Sequence, residues 1–372
     1  MRLTEIGFTH FRNLASTRLE VPPAGAILVG ANGQGKTNFL EAIHYLALFR
    51  SFRGTRHGDA IAFDAEQFHV EADVLYEDGR SRTITVAADR DCRRIALDGG
   101  EALRPAEAVG AVVAVLLAPD DLQIVTGPPA ERRRYLDTIL ALTSRRYWNA
   151  LQEYARTLRQ RNGLLRIRSR AAELEIESWD DMLVVAGTPI VTARAALARR
   201  LAARFAEMGG RIAGVGERST FALTYRASVP VAKEDDGDAA RVATAWREAL
   251  LERRAVDRER GWTTVGPHRD EILVRLAGRP LARFGSQGER RTAAIVLRLL
   301  QLEVLEADTG HRPILLLDDV FSELDPGRSG RLLEWLGDAH QRLVTSPRPL
   351  PWLDESLARW TVEGGRIARA AA

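Results

Sequence analysis

The sequence predicts an α/β protein, a mixed sheet flanked by helices and interrupted by a second, mainly helical lobe. Three observations predict it. An apolar run at 26–29 leads through a glycine-rich loop into a helical pattern over 37–48. Near the other end, Ile314-Leu315-Leu316-Leu317 has the composition of a fully buried strand and ends in Asp318 and Asp319. Between them, from about 130 to 213, the composition shifts to helix rich in Arg, Ala and Leu. Ligands in such sheets gather at the carboxyl ends of the strands. Loop and carboxylates can meet there only if both ends of the chain build one sheet.

Residues 3–11 and 18–21 read as short strands ahead of the apolar run. Phe39, Leu40, Ile43, Leu46 and Ala47 recur at helical spacing within 37–48. Alternation over 68–74, 83–86 and 94–97 predicts three more strands, with turns at Asp78-Gly79 and Asp98-Gly99-Gly100, and 111–117 reads as a buried strand. Breaks in the helical region are expected near Trp179 and at Gly187-Thr188-Pro189. An acidic loop at 233–238, a helix at 241–260, a strand at 272–276 and a long helix over 287–307 follow. The tail after Gly365 is expected to fray, and no internal repeat interrupts the pattern.

A chain of 372 residues suggests two folding units. Hydrophobic residues at 45% and charged residues at 28% exclude wholesale disorder. No stretch is expected to reach the roughly 18–20 apolar residues that cross a bilayer, so no membrane partner is expected. The first residues lack the basic-then-apolar pattern of a signal peptide, and Cys92 is the single cysteine, most simply a small strand filler. A cytoplasmic protein is the expectation. The net charge is only +3 although the isoelectric point is about 9.3. Arginine explains the gap, since it stays protonated past pH 12. Lysine occurs only at Lys36 and Lys233, which makes the ammonium at 36 conspicuous.

Gly30-Ala31-Asn32-Gly33-Gln34-Gly35-Lys36-Thr37 fits the phosphate-binding pattern G-x-x-x-x-G-K-[ST]. Its glycines permit positive φ and let successive N–H groups turn toward phosphates, while the following helix adds its positive N-terminal end. Lys36 would carry charge to the β- and γ-phosphates of ATP, and Thr37 would ligate Mg²⁺. Asp318 is the second metal candidate, and Asp319 would polarise the attacking water, pairing it with Lys36 as a catalytic group. Ser322-Glu323-Leu324-Asp325-Pro326 reads as a helix start, with Asp325 at the N-cap and Pro326 at the first helical position.

The segment Phe284-Gly285-Ser286-Gln287-Gly288-Glu289-Arg290 precedes a helix with Ala293, Ile295, Val296, Leu299 and Leu300 at apolar spacing. Ser286 and Glu289 suit a structural capping box, and the same hydroxyl, glycine and helix N-terminus suit an anion. Placed some 30 residues before the Asp-Asp strand, it resembles the signature motif of ABC-type ATPases. Ser322 and Asp325 likewise resemble their D-loop. That resemblance implies an ABC-type P-loop ATPase head in which Ser286, Gln287, Gly288 and Glu289 serve the nucleotide of a partner subunit.

Over nearly its whole length the sequence further resembles the RecF family of bacterial recombination mediators, relatives of the SMC heads. The resemblance rests on Phe11-Arg12-Asn13, Ser51-Phe52-Arg53, Gly127-Pro128-Pro129 with Arg132-Arg133, and Tyr135-Leu136-Asp137. Arg159-Gln160-Arg161-Asn162 with Leu164-Leu165, Trp179-Asp180 and Gly266-Pro267-His268-Arg269-Asp270 complete it. It implies an ATP-dependent homodimer that binds single-stranded, gapped and junction DNA and helps RecR and RecO place RecA. Its expected setting is DNA replication, recombination and repair after DNA damage, including the SOS response. Arg12 and Asn13 join the expected ATP contacts. Domain boundaries follow as 1–120 and 310–372 for the ATPase lobe and 121–309 for the helical lobe.

Two departures bear on rate. After Arg342-Leu343-Val344 the switch histidine of ABC ATPases is missing, and Thr345-Ser346 stand there. Asp319 replaces the glutamate many such enzymes use, and a shorter carboxylate sits farther from the water. Weak, DNA-stimulated hydrolysis is expected. The helical insertion, about 85 residues folded back, would reach only about 60 Å and excludes long coiled coils. Most arginine clusters are expected to be solvated helix faces. The acid-poor stretch from 156 to 170 is the exception, and Arg156, Arg159, Arg161 and Arg166 are its candidate DNA-phosphate contacts. His268 is expected to hydrogen-bond rather than catalyse. A small-molecule kinase and a transporter-coupling ATPase are the alternatives, neither with a use for both Ser286–Arg290 and the N-terminal Phe-Arg-Asn strand.

Overall fold

The apolar run before Asp318 forms the strand Ile314–Asp318, buried along its whole length and flanked by a strand on each side. The computed structural model describes every residue except 55, 102, 168, 214–219, 325, 338, 351, 354, 355, 371 and 372. The chain divides into two units, Met1–Asp121 with Gln301–Ala372, and Leu122–Leu300.

In the first unit, six strands lie in the order Arg366–Arg369, Ala358–Glu363, Gly25–Val29, Arg342–Ser346, Ile314–Asp318, Ala114–Leu117. All are parallel except the edge strand Arg366–Arg369. The two ends of the chain therefore share one sheet, and Val29, Ser346 and Asp318 end at the same side of it. An antiparallel sheet of five strands runs Thr17–Glu20, Arg2–Thr9, Phe68–Leu75, Ser81–Ala88, Arg93–Leu97. The helix Lys36–Leu48 packs between these sheets: Phe39 meets Phe8 edge-on at 6.2 Å on one side and Trp360 at 5.8 Å on the other. That double packing buries every residue of the helix but Thr37 and Asn38.

Several expectations are corrected here. The first strand stops at Thr9, because His10 and Arg12 take left-handed φ of 54° and 56°. The strand expected over 111–117 is confined to Ala114–Leu117. The tail does not fray at Gly365: Arg366–Arg369 pairs with Ala358–Glu363 as a hairpin.

The second unit holds the helices Pro129–Thr143, Arg145–Leu165, Arg170–Ala213 and Ala239–Arg260, with a small sheet of Arg279–Pro280, Glu271–Leu276 and Phe221–Arg226. The breaks expected near Trp179 and at 187–189 do not occur, and Arg170–Ala213 is one helix of 44 residues. Gly187 lets Trp246 approach, since a Cβ there would lie 2.3 Å from the indole. The carbonyl left without a helical donor by Pro189 belongs to Val185, which is exposed to water. Contrary to the sequence expectation, Glu175–Ile212 is long and apolar enough to qualify as a membrane span by length and composition. In its most apolar window, 61% is buried within the protein, the pattern of a core helix.

Candidate nucleotide site

Gly33 and Gly35 take φ of 80° and 111°, the left-handed region that a looped anion cradle requires. Gly30 has no room for a side chain, because a Cβ would lie 2.3 Å from the Val362 carbonyl oxygen. Ala31, Asn32 and Gly33 form the exposed lip, whereas Lys36 is buried. The Lys36 ammonium donates to the carbonyls of Gly30 at 2.7 Å and Ala31 at 3.0 Å, which holds it inside the loop.

The acidic strand end meets this loop. Thr37 Oγ1 donates to Asp318 Oδ1 at 2.9 Å. Strand Arg342–Ser346 lies between the two, and its register sets Thr345 beside Asp318. The Thr345 hydroxyl donates to Asp318 Oδ1 at 2.7 Å and accepts the Asp319 N–H at 3.0 Å. Thus, where the switch histidine is missing, a buried threonine orients one carboxylate and the backbone of the next. Burial pushes the Asp318 carboxyl above its ordinary pKa; hydrogen bonds from Thr345 and Thr37 oppose this, and the Asp319 charge adds to it. Asp319 has φ 49°, and its Oδ1 is buried without a hydrogen-bond partner. Such an oxygen requires a water or ion.

A hydroxyl and a carboxylate oxygen are hard donors suited to Mg²⁺. Among the described residues no group of three or more His, Cys, Asp and Glu gathers, so phosphate oxygens and water would complete the coordination.

Arg12 and Asn13 support the loop helix and the loop. Arg12 grips the buried Glu41 through Nη2 at 2.7 Å and Nε at 3.2 Å. Ser51 donates to the same carboxylate, and Arg53 lies 3.4 Å from it. The Phe-Arg-Asn and Ser-Phe-Arg motifs therefore converge on Glu41, which the sequence reading missed. Its signal was a lone carboxylate in the apolar run 39–43. Asn13 Nδ2 donates to the Gly33 carbonyl at 3.1 Å.

Ser286 and Glu289 form the capping box: the Ser286 N–H donates to Glu289 Oε2 at 2.7 Å, and the Glu289 N–H donates to Ser286 Oγ at 3.2 Å. Ser286 and Gln287 are exposed at the start of Gln287–Thr309, with Gly288 and Glu289 half-buried behind them. Ser322 is exposed in Val320–Glu323, and Asp325 lies outside the described residues.

One candidate DNA contact is overturned. Arg161 is fully buried, paired with Asp180 and with Asp257 at 2.9 Å, and it donates to Thr263 Oγ1 at 2.8 Å. A guanidinium so enclosed cannot reach a DNA phosphate. Arg156, Arg159 and Arg166 are exposed, Arg156 beside Glu153.

A family model described as the RecF/RecN/SMC N terminal domain matches residues 2–350. The DNA replication and repair protein RecF of Gloeobacter violaceus is 39% identical over 377 residues, covering 99% of this chain and 98% of the relative. That of Frankia alni is 36% identical and covers all of both chains. A solved RecF–ATP structure, described as a recombination mediator in the RecFOR pathway, matches with a TM-score of 0.90 at 30% identity, covering 99% of this chain and 97% of the other. An SMC head bound to the winged-helix domain of ScpA shares the fold, with a TM-score of 0.54 at 15% identity over 99% and 97%.

With the glycine-rich loop and the Asp-Asp strand end at the same carboxyl edge of one sheet, a single strand apart, the protein is an ABC-type ATPase head with a helical lobe inserted. A chain so closely matched over its full length leaves no place for a small-molecule kinase or a transporter-coupling ATPase. The chain belongs to the RecF family.

Proposed function

We propose that this protein is an ATP-dependent DNA-binding protein of recombinational repair and replication. It closes into a homodimer on ATP, binds gapped or junction DNA, and assists RecA loading together with RecR and RecO. The observation that carries the reading is the hydrogen bond from Thr37 to Asp318, which joins the phosphate loop to the acidic strand end. The RecF relatives and the ATP-bound RecF neighbour support it.

The backbone of Gly30 to Thr37 receives the phosphates, Lys36 sets its charge among them, and Arg12 and Asn13 act through the helix and loop they brace. Thr37 and Asp318 would hold Mg²⁺, which would supply charge neutralisation for the phosphates. Asp319, with its unpartnered oxygen, holds the attacking water and accepts its proton. Its short side chain makes turnover slow, and hydrolysis resets the dimer. Ser286, Gln287, Gly288 and Glu289, with the D-loop Ser322 and Asp325, complete the partner's site. Arg156, Arg159 and Arg166 supply non-specific phosphate contacts.

The deciding experiment measures binding to gapped, duplex and single-stranded DNA with and without ATP, alongside the Lys36→Ala variant. Tight, ATP-dependent binding to gapped DNA that Lys36→Ala lacks is the expected result. Equal ATP affinity in wild type and Lys36→Ala overturns the nucleotide site. DNA binding indifferent to ATP overturns the switch.

A further inference from the structure

A phosphate cradle of this kind works through backbone N–H groups, so the facing of each peptide plane matters. In a trans peptide the C=O and the next residue's N–H point in opposite directions. Holding a carbonyl outward therefore aims the following N–H to the opposite side. Two groups outside the loop do this. Asn13 Nδ2 donates to the Gly33 carbonyl, which fixes the N–H of Gln34. The Gly365 N–H donates to the Gln34 carbonyl at 2.9 Å, which fixes the N–H of Gly35. The Gly364 N–H adds a bond to Gln34 Oε1 at 2.6 Å.

Both braces are themselves held. Asn13 Oδ1 accepts from Asn38 Nδ2 at 2.7 Å, so the amide is fixed from both ends. The Gly365 carbonyl accepts the Ala15 N–H at 2.9 Å, and its φ is 79°. A Cβ at Gly365 would lie 1.8 Å from the Asn13 carbonyl oxygen, so only glycine lets the hairpin turn reach this depth. The turn belongs to the C-terminal hairpin of Ala358–Glu363 and Arg366–Arg369, which places it some 330 residues along the chain from the loop it touches.

We infer that Asn13 and the Gly364-Gly365 turn are positioning residues that preset the phosphate cradle before nucleotide arrives. The inference rests on the nucleotide-site reading above. It assigns the C-terminal hairpin a part in ATP affinity, and it makes Asn13 a brace on the loop rather than a direct ligand.

The test is equilibrium binding of ATP and ADP in EDTA, so that the metal ligands play no part, for wild type, Asn13→Ala and Gly365→Ala. Melting of the nucleotide-free proteins is measured in parallel. Asn13→Ala is expected to weaken both nucleotides about three- to tenfold, the loss of one orienting hydrogen bond, with unchanged melting. Its KM for ATP should rise while kcat at saturation holds. Gly365→Ala should weaken binding further. Should Gly365→Ala not fold, the exposed Asn13 side chain still decides the matter. Wild-type affinity in Asn13→Ala overturns the inference. Failure of the wild type to bind either nucleotide, in EDTA and with Mg²⁺ restored, overturns the site reading, and this inference with it.

Discussion

At the scale of single residues, Asp318 and Asp319 are adjacent in sequence and opposite in circumstance. Asp318 Oδ1 accepts two hydroxyls and is fixed; Asp319 Oδ1 is buried and accepts none. Asp318→Asn is expected to weaken Mg²⁺-dependent ATP binding. Asp319→Asn should still bind Mg-ATP and accumulate the ATP-bound dimer on DNA. Nucleotide affinity with and without Mg²⁺ separates the two, and one shared phenotype would refute the division. His268 makes a second residue-scale case. Burial, reinforced by Arg269 and Arg133 and opposed by a hydrogen bond to Thr263, pulls its pKa down to about 4. Its ring meets the Tyr154 hydroxyl at Nδ1 and the Thr263 carbonyl at Nε2. The folded protein therefore favours neutral imidazole. Above pH 6.5 both folded and unfolded forms are neutral and the full contribution is present. As pH falls from 6.5 to about 4, only the unfolded chain takes up the proton and stability is lost, by up to about 3 kcal/mol. His268→Gln should flatten the acid limb of a stability–pH curve measured by urea unfolding.

The helix Arg145–Leu165 shows what an element hides. Its buried residues Tyr147, Tyr154, Thr157, Arg161 and Leu165 recur at helical spacing. Arg161 thus sits on the inward stripe, whereas Arg156, Arg159 and Arg166 do not. The stripe was legible in the sequence; the partners Asp180 and Asp257 were not, since folding brings them from 19 and 96 residues away. Arg161→Ala would remove the cation paired with the fully buried Asp257, while Asp180 keeps Arg254, and should cost about 3–5 kcal/mol in urea unfolding. Arg159→Glu with Arg166→Glu should leave melting unchanged, weaken binding to all DNA sequences alike and flatten the salt dependence. An unchanged salt slope would make these arginines a solvated face.

At the scale of the whole molecule, the capping box at Ser286–Glu289 is satisfied within the chain and still leaves Ser286 exposed. If that loop completes a second subunit's site, Ser286→Arg should bind ATP alone yet fail to hydrolyse it. Lys36→Ala fails at its own loop. Mixed, the two form a heterodimer with one intact composite site, and up to about half of the activity per dimer should return if the sites act independently. Titrating one variant into the other with DNA present measures it. Wild-type hydrolysis by Ser286→Arg alone would exclude a shared site.

The sequence by itself determined the phosphate loop, the acidic strand and the capped helix, because each is local: glycine φ, apolar runs and caps act over a few residues. The tertiary structure alone decided that Thr345 orients Asp318 and Asp319, that Glu41 gathers Arg12, Ser51 and Arg53, and that Arg161 pairs with Asp180 and Asp257. It also decided that Arg170–Ala213 runs through Pro189 and that a hairpin near the C-terminus braces the loop near the start. These facts depend on which distant groups a fold sets side by side, and on whether a charged side chain finds a buried partner. Neither leaves a periodic trace in the chain.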